Sequence, residues 1–182
     1  MRTVCAALLQ LEPQLAAHAD EMFVLLSDPA IYEYENVPPP SLEWLRLRYA
    51  RLETRQSADG REQWLNWVIR LRSSELIGYV QATVRAHGSA LIAYELSSAY
   101  WGRGLAHEAV LAMIMELVRH YEVREFRAVL KRENHRSMRL LERLGFSAAS
   151  PGQERDYPLE PDEALMTLLM KGAELPPPVR AA

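Results

Sequence analysis

The sequence predicts one mixed α+β domain built around a single sheet. Three observations carry this. Residues 64–96 alternate apolar and polar side chains like an antiparallel meander of three strands. After Gly102 the pattern changes to strand–helix units. No Pro/Gly/Ser-rich stretch in the 182 residues divides them into two cores. The domain is expected over residues 1–171, with a loose tail over 172–182 that contains the second proline triplet, Pro176–Pro178.

In chain order, residues 3–11 read as a strand, and residues 14–28 carry apolar side chains at helical spacing (Leu15, Ala19, Met22, Phe23, Leu26). Pro38–Pro40 make a rigid loop. Ser41 looks like an N-cap for a helix through about Glu53. Ser57–Gly60 is a turn. The three strands are Trp64–Leu71, Leu76–Val84 and Leu91–Leu96, joined by turns at Ser73–Glu75 and His87–Ser89. A long apolar helix runs from Leu105 to about His120, and Arg124–Leu130 is a short strand. A helix from Asn134 to Leu144 is closed by Gly145, with Phe146 beyond it, a good C-terminal signal. Ala164–Met170 is the last strand.

Composition excludes several classes. A chain this long can bury about 70% of its extended surface, so it needs no covalent staple. Charged residues make up 25% and the net charge is −3, so a basic balance does not drive nucleic-acid binding. The single Cys5 excludes an intrachain disulfide and a cysteine-rich zinc site, and reads as buried strand filler. The five histidines show no ligand spacing, so no metal is expected. No apolar run approaches the roughly 18–20 residues of a membrane span, and the N-terminus lacks a signal-peptide core. The chain reads as cytoplasmic.

The charge is unevenly spread. Residues 12–36 hold six carboxylates and no Lys or Arg; 124–143 hold seven basic side chains against three acidic; 150–165 hold five acidic against one basic.

The strongest local signal is Tyr100-Trp101-Gly102-Arg103-Gly104-Leu105-Ala106, between a strand and a helix. Two glycines let the backbone approach a ligand, and the helix start offers unpaired N–H groups and a positive dipole end. A diphosphate fits. No Gly-Lys-Ser/Thr ending marks a P-loop, and His107 stands where a dinucleotide fingerprint needs a small residue.

One strand and one helix later comes Asn134-His135-Arg136-Ser137, ending Glu142-Arg143-Leu144-Gly145-Phe146. With Ser98–Ala109, this element resembles the GNAT acetyltransferases, in particular the branch of ribosomal-protein N-terminal acetyltransferases. The resemblance runs from Leu9–Glu12 to Met170. It implies a mixed sheet of about seven strands, splayed in the middle and flanked by helices, with acetyl-CoA in the splay and no metal. It implies pyrophosphate binding by main-chain N–H groups of Arg103, Gly104, Leu105 and Ala106, beside Trp101 and Gly102. The pantetheine would pair with the strand 91–98 (Leu96, Ser97, Ser98) and with Asn134, and Ser137 would lie near the thiol. Dimers in the superfamily imply a homodimer. Many members carry a tyrosine acid where Leu141 stands, so that role passes to Ser137 or water.

The implied reaction moves an acetyl group directly to a primary amine, either a protein N-terminus or a small molecule. An ammonium must lose a proton before it attacks, so a general base is expected. Glu95 is the best candidate. Strand alternation puts Tyr94 on the other face, and only one face is expected to meet the substrate, which makes Tyr94 the fallback. Tyr32, Glu33, Tyr34 and Glu35 alternate rings and carboxylates, a pattern suited to a cationic acceptor. Asp156 and Tyr157 are weaker candidates. Lys131, Arg132 or Arg136 could pair with a phosphate. The charge distribution then suggests a cofactor of one sign and an acceptor of the other, separated by region. Two rival readings are a non-catalytic acetyl-CoA-binding module and a dinucleotide-binding oxidoreductase.

Overall fold

The structure is a computed structural model that describes residues 1–34, 37–155 and 157–170. Its sheet has eight strands in the order β1-β2-β3-β4-β5-β6-β8-β7. They are β1 (Val4–Cys5), β2 (Leu9–Pro13), β3 (Gln63–Leu71), β4 (Leu76–Arg85), β5 (Ser89–Leu96), β6 (Glu125–Lys131), β7 (Ser147–Ala148) and β8 (Glu163–Leu169). The helices are α1 (Ala19–Leu25), α2 (Leu42–Leu52), α3 (Leu105–His120), α4 (His135–Arg143) and the short α5 (Pro151–Arg155).

Two elements depart from the sequence reading. The expected strand 3–11 is a hairpin, because the chain turns between Ala6, whose N–H donates to Leu9 O at 2.9 Å, and Leu9. Cys5 therefore sits exposed on an edge strand and is not core filler. The helix expected over 14–28 shrinks to Ala19–Leu25, preceded by one 3-10 turn over Ala16–His18. The two-residue β7 brings the count to eight; two residues are too short to show a period.

The other ends follow local chemistry. Ser41 Oγ accepts from Trp44 N–H at 3.1 Å and starts α2. Gly145, at φ +92°, lets the chain leave α4 through the left-handed region.

The sheet packs on both faces. On one, α3 lays Ala109, Val110, Met113, Ile114 and Leu117 against Trp67, Ile69, Val80, Ile92 and Phe126. Truncating a residue such as Met113 to alanine would cost about 2–5 kcal/mol. Glu116, buried on α3, is held by a two-pronged bond from Arg2, at 2.9 Å from Nε and 2.8 Å from a terminal nitrogen. On the other face, α1 and α2 place Ala19, Met22, Leu26, Leu45 and Tyr49 over Val68.

One discontinuity positions the site. β4 and β5 stay paired to Leu96, and β6 and β8 to Lys131. β5 and β6, the parallel pair, meet only from Ser89–Glu125 to Leu91–Arg127. Beyond that the sheet splits. Ser97 N–H donates to Ile77 O at 2.9 Å. The antiparallel alternation then turns the main-chain groups of Ala93 and Glu95 toward β4, and those of Ile92, Tyr94 and Leu96 toward the split. Gly78 lets β4 approach closely here: a Cβ on it would stand 2.1 Å from Glu95 O.

Candidate active site

The split opens into a cavity of about 590 Å³. Because the gap passes through the sheet, side chains from both faces of β5 line it: Ile92, Tyr94 and Leu96 from the α3 face, Ala93 and Glu95 from the α1–α2 face. The expectation that only one face of β5 meets the substrate region is therefore corrected.

At the α3 end, Trp101, Gly102, Gly104, Leu105 and Ala106 all line the cavity. Gly104 has φ +76°, and no side chain caps the helix behind it. The first main-chain bond of α3 runs from Glu108 N–H to Gly104 O at 3.1 Å, so the N–H groups of Leu105, Ala106 and His107 have no intrahelical acceptor. Such a terminus attracts anions. Arg136, Arg139 and Arg143 line the same end from α4, at a spacing that puts them on one face. Burial, and then Arg143, hold the His107 imidazole below its usual range, so it stays neutral near pH 7. The Arg136 guanidinium lies 3.6 Å from the Trp101 ring centroid, and Trp101 Nε1 donates to Leu96 O at 2.9 Å.

Five residues expected near the cofactor have side chains off the cavity wall. Arg103 turns its guanidinium over the Tyr100 ring, 5.4 Å from its centroid, and is off the cavity wall; the expectation for it concerned its main-chain N–H. Ser97 and Ser98 are also off the wall, because Ser97 N–H bonds to Ile77 and Ser98 N–H donates to Asp28 Oδ2 at 3.0 Å. Lys131 is taken by Asp162 at 2.9 Å and Glu163 at 3.3 Å, and Arg132 does not reach the cavity.

In the middle, Asn134 caps α4: its Oδ1 accepts from Ser137 N–H at 3.0 Å, which leaves the amide N–H₂ as its donor. The Tyr94 hydroxyl and Ser137 Oγ are 2.6 Å apart. Leu141 is buried. A phenol, Tyr94, thus stands beside Ser137 from β5, across the gap, which the spacing of the helix motif alone could not reveal.

At the α1–α2 end the wall is Ala30, Ile31, Tyr34, Arg48, Tyr79, Gln81 and Glu95. The Tyr79 hydroxyl donates to Glu95 Oε2 at 2.7 Å. Burial, and then the Glu95 charge, raise the Tyr79 phenol well above its usual range, so it remains a donor. Asp28 ties the loop of Ile31 and Tyr34 to the end of β5; its bonds from Ser98 hold its carboxyl below the usual range.

Of the four residues expected on the acceptor side, Tyr34 lines the cavity. Tyr32 does not: its hydroxyl donates to Leu26 O at 2.6 Å, and burial pushes its proton affinity up to about 12. Glu33 is off the wall, and Glu35 lies outside the described residues, as does Asp156. Tyr157 lies under Arg127 instead. The other carboxylates of the acidic stretch are spoken for: Glu12 by Arg70 at 2.9 Å, Asp20 by Arg46 at 2.6 Å, and Glu21 by Leu76 N–H at 3.0 Å. None of these faces the cavity, whereas Arg136, Arg139 and Arg143 of the basic stretch do, so among the described residues only the basic half of the expected separation of charge lines it. Asp28, Arg48, Tyr79, Gln81, Arg139 and Arg143 were not singled out from the sequence. Only the two α4 arginines left a signal there, their helical spacing from Arg136.

Among the described residues, no cluster of three or more His, Cys, Asp or Glu could hold a metal ion. No helix among them is long and apolar enough to cross a membrane.

Comparison with known proteins agrees with this geometry. The uncharacterised N-acetyltransferase p20 of Bacillus licheniformis is 26% identical over 159 residues, covering 86% of this chain and 88% of that protein. Among solved structures, the ribosomal L7/L12 α-N-protein acetyltransferase RimL in complex with coenzyme A superposes with a TM-score of 0.77 at 16% identity, over 92% of this chain and 98% of that one. The microcin C7 self-immunity acetyltransferase MccE, in complex with acetyl-CoA and AMP, does so with a TM-score of 0.75 at 15% identity, over 91% and 94%. These two likenesses show the fold. The acetyltransferase (GNAT) domain model matches residues 9–147, most of the chain, so the protein belongs to the GNAT acetyltransferases.

Proposed function

We propose that the protein moves the acetyl group of acetyl-CoA to a primary amine by direct transfer, with both substrates in the one cavity. The observation that carries this is the sheet gap: a phosphate-ready helix terminus and a carboxylate–phenol pair open onto the same space from opposite faces. A cytoplasmic location suits a chain whose one cysteine is unpaired and exposed.

The residues present fit acetyl-CoA. The uncapped N–H groups of Leu105 and Ala106 and the arginines of α4 suit its phosphates. Main-chain groups of Ile92, Tyr94 and Leu96, with the Asn134 amide, suit the pantetheine. When bound, it supplies the acetyl group as a thioester. Glu95, oriented by Tyr79, takes the proton that the acceptor ammonium must lose. Main-chain N–H groups at the gap stabilise charge on the carbonyl oxygen. As the carbon–nitrogen bond forms and the carbon–sulfur bond breaks, the Tyr94–Ser137 pair gives a proton to sulfur and regains one from the newly bonded nitrogen. That donor is a modest aid, since a thiol with pKa near 8.5 already leaves well.

The test is thiol release from acetyl-CoA with a panel of amines and peptides. Direct transfer gives initial-rate lines that intersect. Parallel lines would replace it with a covalent route, and binding without turnover on any amine would leave a cofactor-binding module.

A further inference from the structure

The acceptor end of the cavity holds two opposite charges. Glu95 lines it from β5, and Arg48 lines it from α2. Arg48 is held by Trp44 one turn earlier, its guanidinium 5.4 Å from the ring centroid, and it makes no ion pair with the described residues. Its neighbours on α2 differ: Arg46 pairs with Asp20, and Arg51 lies over Trp64, outside the cavity. An arginine positioned by an aromatic ring, facing a cavity and without a carboxylate partner among the described residues, is a fork for an incoming anion. The other described side chains of this wall (Ala30, Ile31, Tyr34, Tyr79, Gln81) carry no charge.

Resting on the acetyltransferase reading, we infer that the acceptor is a primary amine bearing an anionic group on the same molecule. Its ammonium faces Glu95 and its carboxylate or phosphate faces Arg48. This reverses the purely cationic acceptor that the acidic stretch of the sequence suggested. A free amino acid and a peptide with an acidic first residue share this chemistry.

The experiment uses matched acceptors: amino acids against their carboxamides, and peptides beginning with Asp or Glu against the same peptides beginning with Asn or Gln. The expected result is a preference of about tenfold or more in kcat/KM for the carboxylate member of at least one set, which also tells the free amino acid from the peptide. Arg48→Gln should collapse that preference to near unity and Arg48→Glu should invert it, each leaving the KM for acetyl-CoA unchanged. Equal rates for both members of every pair, or a preference untouched by Arg48→Gln, would overturn the inference while leaving the transferase reading intact. No turnover on any amine, with acetyl-CoA still raising the melting temperature, would overturn both.

Discussion

The two ends of the cavity are made differently. The α3 end is made of two short runs of sequence: Trp101, Gly102 and residues 104–107, around the start of α3, and the face Arg136, Arg139 and Arg143 of α4. The α1–α2 end is made of single side chains from four distant segments: Ala30, Ile31 and Tyr34; Arg48; Tyr79 and Gln81; Ala93 and Glu95. Backbone and dipole recognise a feature common to many ligands, a phosphate. Isolated side chains recognise one ligand. The constant half of the reaction is thus held by what any sequence with the right glycines can form, and the variable half by what is cheap to change.

That contrast can be broken by mutation. The largest effect is expected from Gly104→Glu, which places a carboxylate at the anion site and a Cβ at φ +76°. The left-handed residue itself costs about 1–2 kcal/mol. The acetyl-CoA-induced rise in melting temperature, about 2.7 kcal/mol of stabilisation at a hundredfold excess over Kd for an intact site, should vanish. A surviving shift would mean that the helix terminus is not the phosphate site.

Next is Glu95→Gln. A lost general base should lower kcat by about 100-fold or more, with the KM for acetyl-CoA unchanged and the acid limb of the pH–rate profile removed. Tyr79→Phe, which removes only the group that orients Glu95, should cost about tenfold or less. If both variants fall equally, Tyr79 is a participant and not a support.

Between the ends, Tyr94→Phe and Ser137→Ala should each lower kcat by about tenfold or less, because the thiol leaves easily. Groups 2.6 Å apart share one function, so the double variant should be little worse than either single one. Full additivity would separate their roles.

The smallest effect concerns pH. Burial holds the His18 and His107 imidazoles below their ordinary range. Protons then bind the unfolded chain more readily. The stability these residues contribute is present above the ordinary histidine value, about 6.5, and is lost as pH falls through the depressed one. The melting temperature should therefore decline gently from pH 7 to pH 5, less so in His107→Gln.

The same contrast explains what the sequence revealed. Gly102, Gly104, Asn134 and Gly145 each force a local backbone event, so the helix starts and stops around the phosphate end could be read residue by residue. The splay could be inferred only through the family resemblance, because a strand that parts from its neighbour after Leu91 keeps the same alternation as one that does not. Glu95 could be named from its strand, but its support by Tyr79 depends on the β4–β5 register, in which these two residues stand opposite each other. Arg48 looked like any solvated charge on a surface helix. The acidic stretch misled because counting charges along a chain says nothing about which arginines fold against them; Arg70 and Arg46 are far away in sequence and adjacent in space.

The three-residue seam between β5 and β6 joins two runs of the sheet, β1–β5 and β6–β8, at one end. The main-chain amides that β5 turns toward the gap have no strand across from them to slow their exchange with solvent. A molecule lying in the gap takes the place of that strand. Exchange at Tyr94 and Leu96 then becomes an occupancy gauge built into the backbone, readable without knowing the acceptor and without catalysis. It would rank candidate ligands one by one and show whether filling the gap also quiets β6 on the other side.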